Sequence, residues 1–247
     1  MDRALYVSMT GAMQTMSEQA ARSHNLANVS TTGFKADLAN ALAQPVYGGA
    51  GLPTRVYAIT ETPLSNLSNG PLVETGRELD VAIMGDGWLV FENEAGEEVY
   101  SRGGNLSVDT AGMLRNERGL VVQGNAGPVV IPESEKIEIG TDGTISVRAL
   151  GQGPETLVEV DRLKLVNPDR ANLIKGVDGL FRSSNPVEPI DPNISISTGF
   201  LEGSNVNAVN ELTSIVSLSR QFEMQIKMMQ TIAENSEASS RLLQVQV

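Results

Sequence analysis

The chain of 247 residues contains no cysteine and only one histidine, His24, and aromatics make up 4% of it. Without cysteine there is no disulfide framework and no thiolate metal site. With so few aromatic rings, the core must be built mostly from aliphatic side chains. Positive charge is scarce: 18 Lys and Arg stand against 30 Asp and Glu, a net charge of −12. A nucleic-acid binder needs a concentrated positive field, so that class is set aside. No apolar run approaches the roughly 20 residues that would span a bilayer. The start of the chain, MDRALYVSMTGAMQTMSEQ, lacks the apolar stretch and small-residue cleavage pattern of a secretory signal. If the protein leaves the cytoplasm, the expectation is a route that reads no cleaved signal peptide.

Proline and glycine are missing from the ends. All eleven prolines lie between Pro45 and Pro192, only Gly11 precedes residue 29, and no glycine follows Gly203. Because both residues break helices, each end is free to form one long helix, and the middle is punctuated as strands and turns require. Charge follows the same zoning. Residues 1–28 carry two acids and two bases, and residues 201–247 five and three, which leaves −10 of the −12 in the interior. Self-repulsion is therefore concentrated in the middle, and the near-neutral ends are free to associate.

At the N-terminal end, Leu5, Met9, Ala12, Met16, Gln19, Ser23 and Leu26 alternate by four and three. At the C-terminal end, Leu212, Ile215, Ser219, Phe222, Ile226, Met229, Ala233, Ser236, Ser240 and Leu243 do the same. These are heptad stripes, narrower than the apolar face of a helix lying on a globular core, and they point to helix-on-helix packing. Seven of the nine methionines fall in the two ends, and methionine adapts to irregular contacts. Between them, short β-rich runs are separated by Gly-Asp-Gly, Ala-Gly-Glu, Arg-Gly-Gly and Thr-Ala-Gly, and Thr141-Asp142-Gly143-Thr144 reads as a hairpin turn. The expected fold class is α+β with a mainly β core: paired terminal helices forming a coiled-coil-like domain, and a central all-β globular domain. The expected division is 1–35, N-terminal helix and exit turn; 36–75, extended connector; 76–185, β-rich domain; 186–204, return connector; and 205–247, C-terminal helix.

Catalysis finds no foothold. A lone histidine within a helix is far more often a surface or interface residue than a catalyst, and Asp-Gly is first a turn signal. No phosphate-binding loop, dinucleotide fingerprint, nucleophile elbow or zinc-ligand spacing is present. The acid-rich stretch 92–98 reads as an exposed hairpin tip. The expectation is a protein that is not an enzyme, with no catalytic, cofactor-binding or metal-binding residues.

Residues 25–35 read NLANVSTTGFK. Asn28 to Thr32 is a run of helix-ending residues, Gly33 permits a positive φ, and Phe34 offers an anchor after the turn. This string resembles the signature that closes the N-terminal helix in the family of flagellar rod, hook and hook-associated axial proteins. Three further segments match that family in order: TGRELDVAIMGDGW (75–88), YSRGGNLSVDTAGML (100–114), and LEGSNVNAVNELTSIVSLSRQFEMQIKMMQTI (201–232). Within the family, Trp88-Leu89 after Gly-Asp-Gly and the short total length favour a proximal-rod subunit over a distal-rod one. A distal-rod subunit is the alternative, and another structural protein of the same export route ranks below it.

The resemblance implies a structural subunit exported by the flagellar type III apparatus, which polymerises in the periplasm into the hollow axial shaft of the basal body. Its implied partners are copies of itself, other rod proteins and the export apparatus. The subunit-interface role would fall on Leu5, Met9, Met16, Leu26, Leu212, Ile215, Phe222, Ile226 and Met229. Asn28, Gly33 and Phe34 would set the chain's exit from the tube.

Overall fold

A computed structural model describes residues 2–38, 41–45, 56–60, 64–149, 151, 156–185 and 187–244. The chain is α+β, mainly β, with one long helix near each end: α1 (Asp2–Ala27) and α2 (Ala208–Gln244). It divides into two compact units. One comprises residues 1–29, 36–66 and 206–247, and the other residues 30–35 and 67–205.

In the helical unit, α1 and α2 lie against each other. Thr15 on α1 meets Gln225 on α2, and Arg22 meets Glu211, so the two helices run antiparallel. Asn207 caps α2: its side-chain oxygen accepts from the amides of Val209 (3.0 Å) and Asn210 (3.2 Å), two donors that a helix start leaves unpaired. Glu211 in the first turn adds an acid where the helix dipole favours one. At the other helix's end, the Asn28 side chain donates to the His24 carbonyl at 2.9 Å. The segment read from sequence as a connector, 36–75, contains paired strands. Asp37–Leu38 pairs with Leu64–Ser65, and Ala41–Pro45 with Val56–Thr60. Residues 39–40, 46–55 and 61–63 of that segment lie outside the described residues.

The β unit centres on an all-antiparallel sheet. Its order is Leu173–Lys175, Phe181–Ser183, Glu98–Ser101, Trp88–Glu92, Val121–Val122, Leu114–Asn116 and Leu106–Val108. Leu165–Val166 shares an edge of Trp88–Glu92 with Val121–Val122: Leu165 sits opposite Leu89, and Val122 opposite Phe91. A three-stranded sheet of Ser134–Ile139, Thr144–Ala149 and Val158–Arg162 turns at Gly143, where φ is +88° and glycine is required. That is the Thr-Asp-Gly-Thr hairpin read from the sequence.

Strand Trp88–Glu92 shows no apolar alternation because both its faces are covered. Leu89 and Phe91 join the main aliphatic core with Val81, Leu106, Leu114, Ile145 and Leu165. Trp88 and Val90 point the other way, into a smaller cluster with Tyr100, Val166 and Phe181. The rings of Trp88 and Phe181 sit 4.5 Å apart, tilted by 44°. The stretch 186–204, read as a return connector, also supplies strands. Ser195–Thr198 pairs with Val81–Met84, and Phe200–Glu202 with Leu72–Glu74.

Candidate functional site

In the helical unit, the buried positions of the helix pair are small or polar with the exception of Leu218. They are Ser8, Ala12, Gln14, Thr15 and Asn25 on α1, and Glu211 and Leu218 on α2. A β-carbon at Gly11 would lie 3.0 Å from the amide at the tip of the Gln225 side chain, so Gly11 leaves that side chain room against α1. The contact is closed by polar groups. Arg22 pairs with Glu211 at 3.2 Å, and Asn25 clasps the backbone of Asp37, donating to its carbonyl at 2.9 Å and accepting from its amide at 2.8 Å.

Of the residues assigned from sequence to a subunit interface, Leu5, Leu26, Ile215, Phe222, Ile226 and Met229 are half-buried. Met9, Met16 and Leu212 are exposed, the last two by more than half. The face that α1 presents to α2 keeps positions 5, 12, 19 and 26 of the expected stripe, but Ser8, Thr15 and Arg22 replace Met9, Met16 and Ser23. On α2, the buried Glu211 and Leu218 likewise replace Leu212 and Ser219, and Gln225 meets Thr15 beside the half-buried Ile226. Among the exposed residues are large apolar ones: Tyr6, Met9, Met13 and Met16 on α1, and Val209, Leu212, Val216, Met224 and Met228 on α2. Leu212, Val216, Arg220 and Met224 line an open groove on α2.

In the β unit, the exit turn is pinned to the sheet. Gly33 has φ +65°, and a β-carbon there would lie 2.3 Å from the backbone of Arg102 and Gly103. Phe34 is buried, with the Lys175 ammonium 4.1 Å above its ring. Asn28, the remaining exit-turn residue, belongs to the helical unit and is half-buried.

The residue after Phe34 was not singled out from the sequence, yet it occupies a buried ionic cluster. Lys35 is buried, and its ammonium donates to Glu202 Oε1 at 2.7 Å and to the Ser68 carbonyl at 2.8 Å. Glu202, also buried, accepts from the Gly70 amide at 2.9 Å and from Arg102 at 2.9 Å. Arg102 reaches on to the Gly85 carbonyl at 2.6 Å. Burial alone would raise the Glu202 carboxyl, but the bonds from Lys35 and Arg102 outweigh it and hold it below the usual carboxylate range. Burial pushes the Lys35 ammonium down, and Arg102 adds to this, because two cations share one carboxylate. The four segments that carry the family resemblance each contribute one element of this cluster: Lys35, Gly85, Arg102 and Glu202.

Among the described residues, no helix is long and apolar enough to cross a membrane, and no group of His, Cys, Asp and Glu is arranged to hold a metal. The arrangement offers apolar helix faces and a rigid β body, the equipment of an assembly subunit.

Three family models match the chain. Residues 5–35 match the flagella basal body rod protein, 82–147 the D1 domain of the flagellar hook protein FlgE/F/G, and 197–242 the C-terminal region of the flagellar basal body rod FlgEFG protein. All three describe axial proteins of the flagellum. The flagellar basal-body rod proteins FlgF of Escherichia coli K12 and of Salmonella typhimurium LT2 are each 41% identical to it, over 98% of this chain and 99% of theirs. The rod protein FlgG of Agrobacterium fabrum is 32% identical, over 98% and 99%. The chain belongs to the FlgF family of flagellar basal-body rod proteins, structural subunits of the flagellar rod.

Proposed function

We propose that this protein is a subunit of the proximal rod, polymerising through its terminal helices into the hollow drive shaft that transmits torque. The observation that carries the assembly mode is the distribution of apolar side chains on the helix pair. Small and polar residues close the contact within the chain, while Tyr6, Met13, Met16, Leu212, Val216, Met224 and Met228 stay exposed. A run of exposed apolar residues on that scale marks an interaction surface, and methionine suits contacts repeated in slightly different settings. The antiparallel pair acts as a coiled-coil-like building block, its outer stripes covered by neighbouring subunits. The 41% identity to the FlgF proteins of Escherichia coli and Salmonella typhimurium, against 32% to the FlgG of Agrobacterium fabrum, supports the proximal rather than the distal rod.

On this reading the subunit is exported by the flagellar type III apparatus and functions in the periplasm beside other rod proteins. Its role is mechanical rather than catalytic. The test is Met224→Asp, with Met224→Leu as a control that keeps the same exposed position apolar. An unpaired carboxylate buried between subunits costs several kcal/mol, enough to block incorporation. Met224→Asp should leave the β unit's unfolding unchanged but yield cells without hook and filament, whereas Met224→Leu should swim. Equal tolerance of both, or equal loss in both, would refute the assembly mode.

A further inference from the structure

The chain passes between its two units at 29/30, 35/36, 66/67 and 205/206. On the β-unit side, three of these passages meet at Glu202. Lys35, the last residue before one passage, bonds its carboxylate. Just after the next, Ser68 gives its carbonyl to the same Lys35 ammonium, and Gly70 gives its amide to the same carboxylate. Just before the last, the Asn205 amide donates to the Phe34 carbonyl at 3.3 Å, and its side chain to the Ser68 carbonyl at 2.9 Å. The Glu202 carbonyl itself accepts from the Gly33 amide at 2.7 Å.

Each passage is thus bonded to the other two; of these residues Glu202 lies in a strand, opposite Leu72, and Arg102 directly follows the strand ending at Ser101. Residues this close in one polar network do not act additively, because removing one partner leaves a buried group of another unpaired. We infer that the cluster of Lys35, Arg102 and Glu202 is a clamp that makes the three passages open and close as one, so that none can loosen while the others hold. This goes beyond the assembly reading and holds or fails independently of it.

The experiment is hydrogen exchange on the full chain, comparing the amides of Gly33, Gly70 and Asn205 with those of Leu114 and Gln123, which donate to Val129 and Val90 within the sheet region. Lys35→Met should accelerate exchange at Gly70 and Asn205 by at least about tenfold, not only at Gly33, with Leu114 and Gln123 unchanged. Should that variant fail to fold, Asn205→Ala decides the matter, since Asn205 is half-buried on the rim of the cluster. It should accelerate Gly33 and Gly70, residues far from it in sequence. Acceleration confined to the neighbours of the substituted residue would overturn the clamp. So would an equal acceleration at Leu114 and Gln123, which would mean the cluster is simply part of the core.

Discussion

Replacing Gly33 with alanine tests how closely the exit turn is held to the sheet. Two costs are superimposed at this position. The first is conformational: an L-residue at φ +65° costs about 1 kcal/mol relative to glycine. The second is steric, because the added β-carbon would stand 2.3 Å from the backbone of Arg102 and Gly103. Restoring ordinary contact requires that peptide or the turn to recede by roughly an ångström. The Gly33 amide bond to the Glu202 carbonyl, 2.7 Å, and the Arg102 bond to the Glu202 carboxylate, 2.9 Å, both stretch in response.

Losing one neutral hydrogen bond, about 1 kcal/mol, and weakening one charged bond, about 2 kcal/mol, brings the steric part to about 3 kcal/mol. Gly119→Ala isolates the first cost: its φ is +80°, and nothing lies within 4 Å of the added atom. Trp88 is the single tryptophan, buried in the β unit, so its fluorescence reports urea unfolding of that unit. With a slope of about 2 kcal/mol per molar urea, Gly33→Ala should shift the midpoint about 1.5 M further than Gly119→Ala. Equal shifts would show that the exit turn is not held against Arg102, and the account of the cluster would fall with it.

Tyr100 is buried, and its phenol is pushed up to about 12 by burial first, with Glu98 and Glu188 adding to it. The unfolded chain releases this proton near pH 10 and the folded one near 12, so stability should fall as pH rises through that window. Tyr100→Phe should remove that part of the alkaline loss, as measured by urea midpoints from pH 9 to about 12. Asn207→Ala removes the cap of α2 and should destabilise that helix by about 1 kcal/mol, read as lost helicity in circular dichroism, with the Trp88 transition unmoved.

The distribution of proline and glycine made both terminal helices and the β middle legible, since each feature depends on local chemistry. The register of the helix pair was not legible in the same way. Hydropathy marks where apolar side chains recur, and on these helices they recur on both the half-buried and the exposed sides. The inner face uses Ser8, Thr15, Arg22, Glu211 and Gln225, which carry no periodic apolar signal. The exit turn was visible through Gly33 and Phe34, but the neighbouring Lys35 gave no hint of its role, because its partner lies 167 residues away. Arg102 stands 100 residues from Glu202. Such pairs leave no spacing to read, although each member sits inside a segment that resembles the family. Strands Ser195–Thr198 and Phe200–Glu202 were missed because they are short and lie close to Pro189 and Pro192.

The gathering of the chain passages has a consequence for how such a protein can vary. Where the main body of the β unit begins and ends, Gly203 donates to the Pro71 carbonyl at 2.8 Å, and Gly70 packs so tightly on Gly203 that a β-carbon would lie 2.0 Å from its carbonyl oxygen. A body attached at two such adjacent points is closed at its base whatever its size, in the manner of an inserted domain whose termini lie side by side. The intervening polypeptide can be lengthened, shortened or exchanged as a cassette without asking the helices to move apart, provided the residues at the neck are kept.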